Sequence, residues 1–496
     1  MTSSIQVVVV GAGVTGASSA YHLAQCGVRV LVLEAGVIGR GDERTDAVLS
    51  SEAHLNAADE QQRYAPFRSG TAVMLRTSTI KMICSLYPSS SRDFVHHHGR
   101  EGAARYLRLA QRGIELEKRL AKRLLPDAST QLRELGALYV AHENEREELR
   151  EEYQLLRELG MSDAKWLDTP EVRRCTYVVA HSRSHTLTRT HAQVVAAHGS
   201  AANFTCGIYL PNDAIIDSSE YARSLLRAAA ATQLVTVREQ CPRVVRVETL
   251  SQADGTPRGA RTHLADGSVI DSEHVVVASG GHFADPALWG IFNPCWSYLV
   301  SIPDPRRHAT DHGGSGGMAL PHSPNFYTWG FTHDWSNVDG HVRISGEDHF
   351  SALKPPRATE RCLSLALWGL RKYPYLADGR LDELLSSRTA AEQWLSTIEH
   401  YYAVYSETPD SLPLVGRASA RSRVCYVLGC NAWGQASLSY CAALVPGLLG
   451  YEELSSEQAE LYQLVSISRF VGQPALGLYQ STATTSSSSS SSRARL

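Results

Sequence analysis

Apolar residues at the start of the chain form two short runs separated by an amphipathic segment. Residues 5–10 are almost entirely apolar and mostly β-branched, residues 17–26 are apolar at helical spacing, and residues 28–33 are again apolar. Short apolar runs of this kind are typical of strands that are buried on both faces. The pattern predicts a β-α-β unit at the start of the chain.

The same alternation of strands and helices returns in two later parts of the chain. A helix pattern covers residues 218–231, and glycines and short polar turns separate it from the strand patterns that follow. The predicted strands are residues 234–238, 244–249, 275–278 and 424–428. The last of them leads through a glycine into another predicted helix, which begins at about Ser437.

The stretches between these blocks have different patterns. Residues 101–124 and 143–159 have apolar residues at helical spacing, and residues 137–140 form a short strand pattern between them. Residues 295–350 are rich in aromatic side chains and indicate antiparallel β-structure. We therefore predict the α/β fold class, with α+β organisation in the second part: a Rossmann-like domain interleaved with an antiparallel-sheet domain.

Composition and charge exclude several kinds of partner. The 496 residues are 43% hydrophobic and 20% charged, which is typical of a globular protein large enough for more than one domain. With 48 basic and 51 acidic side chains, the net charge of -3 gives no electrostatic reason to expect nucleic acid or an anionic membrane surface as a partner. No apolar run approaches the roughly 20 residues that a membrane span needs. We expect neither partner.

A complete GxGxxG motif lies between the first predicted strand and the first predicted helix. It consists of Gly11, Ala12, Gly13, Val14, Thr15 and Gly16. The glycines allow a tight turn and a close approach to a pyrophosphate, and the helix N-terminus offers N–H groups and the positive end of its dipole. Glu34 ends the second strand at the spacing where a carboxylate accepts hydrogen bonds from a ribose. These residues predict a bound dinucleotide without a 2′-phosphate, either FAD or NAD.

Further landmarks are spread over most of the chain. They are Glu34-Ala35 and Gly39-Arg40-Gly41, Asp217 before a helix, Val244 and Val247 in one strand, Ser279-Gly280-Gly281, Thr408-Pro409-Asp410 with Pro413 and Gly416, and Gly429 to Gln435. In this order they resemble the D-amino-acid-oxidase superfamily of flavoproteins, on its sarcosine-oxidase and amine-dehydrogenase side. The Thr-Pro-Asp-x-x-Pro-x-x-Gly run is the most specific of them.

The resemblance implies FAD as the cofactor, held by both ends of the chain. The implied cofactor-binding residues are Gly11, Ala12, Gly13, Val14, Thr15, Gly16, Glu34, Ala35, Arg40, Gly41, Val244, Ser279, Gly280, Gly281, Asp410, Asn431, Ala432, Trp433, Gly434 and Gln435. Val244 lies in a strand expected beside the adenine. The FAD-binding domain would comprise residues 1–80, 205–290 and 400–460, and the substrate domain residues 81–204 and 291–399.

Two departures from the family pattern change the expectation. Relatives with covalent FAD carry a cysteine at the position that is Ala403 here, so we expect non-covalent FAD. The oxidases also carry a Gly-His-Gly and a nearby lysine that binds the substrate carboxylate, whereas residues 432–436 contain neither histidine nor lysine. The usual mode of binding an amino acid is therefore not expected. The absence of these residues favours a dehydrogenase over an oxidase, because a positive charge near the flavin helps oxygen accept an electron.

The resemblance implies oxidation of a C–N bond of a secondary amine or amino acid, with hydride transfer to flavin N5 and with oxygen or another electron acceptor as the second partner. Tyr298, Tyr327 and Trp329 lie in the predicted antiparallel sheet and are candidates for the walls of the substrate cage, or for ordinary core aromatics. We expect no metal site. One alternative is a 2-hydroxy acid or glycerol-phosphate dehydrogenase of the same superfamily. Another, of a different class, is an inactive FAD-binding assembly factor.

The last residues form a polar tail that ends in a predicted targeting signal. A serine tract covers residues 486–492, and residues 481–496 are too polar to fold, so we expect this tail to be disordered. The terminal tripeptide Ala494-Arg495-Leu496 resembles the peroxisomal import signal of the Ser-Lys-Leu kind. It predicts a peroxisomal import receptor as a partner and a peroxisome-type organelle as the location, with the cytoplasm as the alternative.

Overall fold

The computed structural model describes residues 5–38, 82–87, 89–169, 171–172, 204–280, 288, 291–305, 323, 325–330, 332–351 and 357–470. The strands, in chain order, are β1 (Val7–Val10), β2 (Val30–Leu33), β3 (Met82–Ile83), β4 (Leu132–Arg133), β5 (Ala137–Ala141), β6 (Lys165–Asp168), β7 (Cys206–Leu210), β8 (Ala214–Ile216), β9 (Val235–Arg238), β10 (Val244–Ser251), β11 (Pro257–Leu264), β12 (Val269–Ser272), β13 (His274–Val277), β14 (Asn293–Pro303), β15 (Asn325–Thr328), β16 (His333–Val338), β17 (His341–Phe350), β18 (Glu399–Glu407), β19 (Leu414–Arg417) and β20 (Val424–Leu428). The α-helices are α1 (Val14–Gln25), α2 (Ser91–Leu124), α3 (Ala128–Gln131), α4 (Arg146–Glu158), α5 (Ser218–Ala230), α6 (Ala358–Lys372), α7 (Leu381–Ser386), α8 (Arg388–Leu395), α9 (Gln435–Ala443), α10 (Val445–Leu449) and α11 (Ser456–Val465).

A six-stranded sheet is built from both ends of the chain. Its order is β19-β20-β13-β1-β2-β9, and every neighbouring pair is parallel except β19 with β20. Strands β1, β2, β13 and β20 are buried along their whole length, which explains their nearly continuous apolar sequences. Helices α1, α2, α5 and α9 cover one face, and the antiparallel sheet β10-β11-β12 covers the other. This architecture confirms the predicted Rossmann-like part of the fold.

An eight-stranded sheet forms the second part of the molecule. Its order is β18-β14-β17-β16-β15-β5-β7-β6, and all neighbouring pairs are antiparallel except β15 with β5. One face packs against α6, α7 and α8, and we call it the helical face. The opposite face carries Tyr139 and Tyr327 and packs against residues 82–87, α2 and Trp433. We call this the inner face, because Trp433 belongs to the loop that follows β20 of the six-stranded sheet.

Two strands lie on the other side of the predicted domain boundaries. The predicted FAD-binding domain comprises residues 1–80, 205–290 and 400–460, yet β7 and β18, which lie within or across the last two ranges, belong to the eight-stranded sheet. Strand β18 pairs with β14 from Asn293 opposite Glu407 onwards, so the chain returns to the six-stranded sheet only after Glu407. The boundaries near 205 and 400 are therefore corrected to positions after each of these strands. The alternation of a strand does not reveal which sheet it joins.

The remaining segments complete the frame. Helix α2 begins ten residues earlier than the predicted start at 101, at Ser91, where the Ser90 side chain accepts a hydrogen bond from the Asp93 N–H. It is interrupted at Gly99, where φ is 69°. No helix in the described part of the chain is long and apolar enough to cross a membrane. The cysteines in the part of the chain that the structure describes are free thiols.

Candidate active site

The turn between β1 and α1 requires glycine at two positions. Gly11 has φ of 99°, and a Cβ atom there would lie 2.6 Å from the carbonyl oxygen of Ala278. A Cβ atom at Gly16 would lie 1.9 Å from the carbonyl oxygen of Gly11. Helix α1 starts after Gly13 with no side-chain cap and no acidic residue in its first turn. The turn therefore presents a close backbone and an open, electropositive helix N-terminus, as a pyrophosphate requires.

The Glu34 carboxylate is fixed beside this turn. It accepts hydrogen bonds of 2.9 Å from the N–H groups of Ala12 and Gly36. The segment before β10 lies beside Glu34, because the Cys241 N–H donates a hydrogen bond to the Glu34 carbonyl over 3.1 Å. A carboxylate has lone pairs beyond these two bonds, so it can also accept from ribose hydroxyls. Val244 follows a few residues later, half-buried at the start of β10.

The motifs that follow β1, β2, β13 and β20 meet at one edge of the six-stranded sheet. These strands are neighbours and parallel, so their carboxyl ends lie together. The edge carries Gly11, Glu34, Ser279-Gly280 and Gly429. Open α/β sheets bind ligands in the crevice outside these ends. Arg40, Gly41 and Gly281 lie outside the described residues.

The loop between β20 and α9 has a tightly specified backbone. Asn431 and Ala432 both have positive φ angles, 48° and 66°. The Asn431 side-chain oxygen accepts from the Thr408 N–H over 2.8 Å, and its amide donates to the Gly429 carbonyl over 3.0 Å. Helix α9 then begins after Gly434, with no side-chain cap and no acid in its first turn. A second open helix N-terminus therefore faces the same edge of the sheet as α1 does.

Two of the predicted cofactor-binding residues use their side chains to support the protein. Asp410 forms a two-point ion pair with Arg469, with distances of 2.6 and 3.1 Å. The Gln435 side chain accepts from Ser218 Oγ over 2.7 Å and donates to Glu117 over 3.1 Å. What Asp410 and Gln435 contribute to a ligand site is therefore the position of their loops and their backbone groups.

An aromatic cluster stands where the two sheets meet, and it consists of Tyr139, Tyr327, Trp329 and Trp433. The ring centres of Tyr327 and Trp433 are 5.0 Å apart, and those of Tyr139 and Tyr327 are 5.3 Å apart. Trp329 and Trp433 each lie 6.4 Å from Tyr139. The structure thus brings Tyr327 and Trp329 together with the loop before α9. Tyr139 was missed, because the residues of this strand are all apolar and all buried, so the sequence does not indicate which of them face the cofactor side.

Tyr298 is not part of this cluster. It lies on the helical face, where its ring stacks on His349 at 5.8 Å and the Arg361 guanidinium sits 5.7 Å above it. Successive residues of a strand point to opposite faces, and the register of β14, β17 and β16 places Tyr298 on the face opposite Tyr327. This corrects the expectation that all three aromatic candidates line the substrate cage.

Carboxyl groups on the inner face have pKa values that are raised toward neutral pH. Asp334 lies opposite Tyr327 in the β15–β16 pair and accepts a hydrogen bond from Ser345 Oγ. Burial raises the pKa of Asp334 to about 7. Burial likewise raises the pKa of Glu407 to about 7, and the Tyr405 hydroxyl bridges Glu407 and Asp348 over 3.2 and 2.9 Å. No local feature of the sequence indicates these roles, because nothing in it distinguishes a buried aspartate from an exposed one.

Metal ligands do not gather in this part of the molecule. Among the residues that the structure describes, no group of three or more histidine, cysteine, aspartate or glutamate side chains is arranged to hold a metal ion.

The glycine turn, Glu34 and the two open helix N-termini at this edge of the sheet are the features of a dinucleotide-binding protein. The family model described as "DAO: FAD dependent oxidoreductase" matches residues 6–445. The chain belongs to this family of FAD-dependent oxidoreductases, and its cofactor is FAD.

Several solved structures share the fold. The chain is similar to glycine oxidase from Geobacillus kaustophilus, with 18% identity, a TM-score of 0.62, and coverage of 94% of this chain and 99% of that one. It is similar to the fructosamine oxidase Amadoriase II from Aspergillus fumigatus, with 15% identity, a TM-score of 0.58, and coverage of 95% and 91%. It is also similar to L-alpha-glycerophosphate oxidase from Mycoplasma pneumoniae with FAD bound, with 12% identity, a TM-score of 0.56, and coverage of 90% and 95%. No curated protein sequence matches the chain.

The residues at the sheet edge fit FAD. Any side chain at position 11 would collide with the Ala278 backbone, so this turn has to be made by glycine. The N-terminus of α1 has no side-chain cap and can face a pyrophosphate. Glu34 is placed for the ribose. The start of α9 offers a positive dipole end to a flavin ring.

Proposed function

We propose that the protein oxidises a C–N bond of a secondary amine or amino acid, with FAD bound non-covalently as the hydride acceptor. The observation that carries the proposal is the aromatic cluster, which joins the inner face to the loop before α9 and lies beside the buried carboxyl group of Asp334. Two of the structurally similar proteins, a glycine oxidase and a fructosamine oxidase, bear the names of amine substrates, which supports this choice. Bound FAD supplies a two-electron acceptor.

The protein's own task is to present the amine in its neutral form. An ammonium group has no lone pair to assist hydride loss, so the proton has to leave first. The aromatic cluster disfavours a charged amine because its walls are apolar. Asp334 has a pKa of about 7 and is close enough in register to Tyr327 to take that proton. Tyr327, Trp329 and Trp433 then restrict the orientation of the substrate carbon.

Asp334 can be tested through the pH dependence of flavin reduction. Asp334 is ionised above its pKa of about 7 and protonated below it, so the rate of reduction should fall as the pH drops through this value. Asp334→Asn should lower the rate about 100-fold near neutral pH. The matched control is Asp339→Asn, in the exposed turn of the same β16–β17 hairpin, which should leave the rate unchanged. An Asp334→Asn enzyme with the wild-type rate and pH profile would remove Asp334 from the mechanism.

Anaerobic mixing of the holoenzyme with candidate substrates tests the reaction itself. Secondary amines and amino acids should bleach the visible flavin band, whereas 2-hydroxy acids and glycerol phosphate should not. The similarity to a glycerophosphate oxidase makes the second group the natural alternative. Bleaching by hydroxy compounds alone would replace amine oxidation with that function. A flavin that neither group reduces would favour the non-catalytic assembly factor.

Two further parts of the proposal concern attachment and location. Ala403 is buried in β18 and offers no nucleophile where covalent relatives have cysteine, which supports dissociable FAD.

The Ala494-Arg495-Leu496 terminus supports import into a peroxisome-type organelle. A fluorescent fusion with this terminus exposed should be punctate, and deletion of Leu496 should make it diffuse. Diffuse fluorescence of both forms would favour the cytoplasm. Exposing the bleached flavin to air identifies the electron acceptor. Rapid reoxidation would indicate oxygen, and a flavin that stays reduced would indicate another acceptor.

A further inference from the structure

A buried glutamate lies against the first turn of α9, the helix whose N-terminus faces the carboxyl edge of the six-stranded sheet. Glu117 of α2 is 0% exposed, and its carboxyl group accepts hydrogen bonds from the side chains of Gln435 and Ser439. Gln435 is the first residue of α9, and Ser439 follows it by about one turn. The carboxyl group is therefore held alongside the start of this helix.

Close packing fixes the position of this carboxyl group. Gly113 precedes Glu117 by one turn of α2, and a Cβ atom at Gly113 would lie 1.9 Å from the carbonyl oxygen of Ala436. The backbones of α2 and α9 are therefore in direct contact. Gln435 is held from its other end as well, because its side-chain oxygen accepts from Ser218 Oγ over 2.7 Å. The amide that contacts Glu117 cannot turn away without losing this second bond.

The Glu117 carboxyl group has no cation beside it. Among the residues that the structure describes, Glu117 makes no ion pair, and its sequence neighbour Lys118 pairs with Glu134 over 3.3 Å. An ionised carboxylate is costly to bury without a counter-ion, and burial raises the pKa of Glu117 to about 7. The positive end of the α9 dipole is what remains to stabilise the ionised form. Ionised Glu117 and any group bound in front of α9 therefore depend on the same positive potential.

The other groups around Glu117 keep one charge state near neutral pH. Helix α9 contributes the uncharged hydroxyl and amide groups described above. Tyr221 of α5 faces Glu117, and Tyr21 of α1 and Arg119 of α2 lie around Tyr221. Burial raises the pKa of Tyr221 well above its ordinary value, and it lowers the pKa of His22, next to Arg119, to about 4. Glu117 is the member of this group whose charge changes between about pH 6 and pH 8.

We propose that Glu117 sets the redox potential of the bound flavin through its charge: the ionised carboxylate offsets part of the positive potential at the start of α9, and the protonated carboxyl group does not. The negative charge that a flavin gains on two-electron reduction is stabilised by a positive helix end, so ionised Glu117 makes reduction less favourable. This inference goes beyond the proposed function, because it requires bound FAD and no particular substrate.

The effect of Glu117 on the flavin has a reciprocal effect on Glu117. If ionisation of the carboxyl group disfavours the reduced flavin, reduction of the flavin favours the protonated carboxyl group by the same factor. Near neutral pH the protein therefore takes up a fraction of a proton at Glu117 for each flavin reduced. This proton is additional to the one that the flavin itself accepts.

The first test is a measurement of the flavin potential, made without substrate by reducing the holoenzyme with dithionite in the presence of a reference dye. Glu117→Gln keeps the size of the side chain and both hydrogen bonds, whereas Glu117→Met has a similar volume and makes neither. At about pH 5 both variants should have the potential of the wild type, because Glu117 is protonated there. At about pH 9 both should favour the reduced flavin about tenfold more than the wild type does, which is about 30 mV for two electrons.

The matched control removes an exposed carboxylate from the same helix. Glu115 lies two residues before Glu117, its side chain is 62% exposed, and it pairs with Arg112 over 2.9 Å. Water and salt screen an exposed charge far better than a buried one. Glu115→Gln should therefore have the potential of the wild type at every pH.

The second test is proton uptake, measured with a pH indicator in weakly buffered solution while the flavin is reduced. At about pH 7.5 the wild type should take up more protons per flavin than Glu117→Gln, by a fraction of one proton. A role in packing alone would change the stability of the variants and leave this difference at zero. The wild type is informative by itself, since an uptake that does not change with pH would overturn the proposal even if neither variant retained FAD.

The outcomes separate this inference from the proposed function. Potentials that coincide in the wild type and both variants from about pH 5 to pH 9 would overturn the role of Glu117 and leave amine oxidation intact. A shift of equal size at both ends of this range would also overturn it, because a charge effect has to vanish where the carboxyl group is protonated. A shift that grows with pH, in a protein whose flavin no amine reduces, would support the role of Glu117 and refute amine oxidation.

Discussion

At the scale of single residues, Glu34 connects the glycine turn to the strand beside it. Its two carboxylate oxygens accept from the N–H groups of Ala12 and Gly36. The predicted contact with the FAD ribose would use their remaining lone pairs. Glu34→Ala should weaken FAD binding by about 10- to 100-fold, because hydrogen bonds to a charged group are worth about 1.5–3 kcal/mol. The measurement is a titration of the apoprotein with FAD, followed by flavin fluorescence.

A neighbouring glutamate provides the control for this prediction. Glu239 accepts from the Ile38 N–H over 2.6 Å, close in space to the same loop but farther from the glycine turn. Glu239→Ala should leave the affinity for FAD nearly unchanged. Unaltered FAD binding by Glu34→Ala would contradict the assignment of this residue to the ribose.

Glu117 makes a different prediction, which concerns stability. It is fully buried between α2 and α9, where it accepts hydrogen bonds from Ser439 and Gln435. Burial raises its pKa from the ordinary 4.5 to about 7, so between these values the folded protein holds a proton that the unfolded chain has lost. The contribution of Glu117 is therefore complete below about pH 4.5 and decreases as the pH rises through 7.

Glu117→Gln should remove this part of the pH dependence. The free energy of unfolding of the wild type should fall between about pH 5 and pH 8 by an amount that the variant does not show, on the order of 3 kcal/mol. Urea unfolding at several pH values measures the difference. Asp213 and Asp334 titrate in the same range and are present in both proteins, so the comparison isolates Glu117. Identical pH profiles would refute a raised pKa for this residue.

At the scale of elements, the last described segment fastens the loop after β18. Arg469 pairs with Asp410 at two points and donates to the Leu412 carbonyl over 3.0 Å. It also donates to the carbonyls of Val465 and Ser466 at the end of α11. The family match ends at residue 445, so an element beyond it holds the most family-specific motif of the chain in place. The loop carries Thr408, which in turn holds Asn431.

Arg469→Met should therefore loosen the loop that leads to α9. The ion pair is about four-fifths buried, so its loss leaves Asp410 without its partner. We expect a loss of about 1–3 kcal/mol in the free energy of unfolding and about tenfold weaker FAD binding. Arg380→Met is the control, because its exposed pair with Glu383 should contribute little. If Arg469→Met matched this control in both measurements, the segment would have no part in the cofactor site.

At the scale of the whole molecule, the sequence predicts what is local and leaves open what depends on distant contacts. Strand β20 was predicted over its exact range, residues 424–428, because a run of buried apolar residues between polar turns is a local pattern. The meeting of Gly11 with residues 429–434 was expected only through the family resemblance. Nothing in the composition of either segment requires their strands to lie in the same sheet.

The errors arise where the sheet decides the outcome. Tyr298 was placed on the wrong face because the direction of a side chain depends on register, and the β14–β17 pairing shifts between Trp296 and Tyr298. Strand β15 pairs with β5 in parallel, which the predicted antiparallel pattern did not include.

The central claim is that both ends of the chain hold FAD without a covalent bond. An absorbance spectrum of the purified protein before and after acid precipitation tests it most directly. The account predicts a flavin spectrum that moves entirely to the supernatant, in agreement with alanine at position 403. Flavin that remains in the pellet would mean that another residue forms a covalent bond and that β18 is wrongly aligned with the family. A protein that binds no flavin even after incubation with FAD would contradict the account of the site.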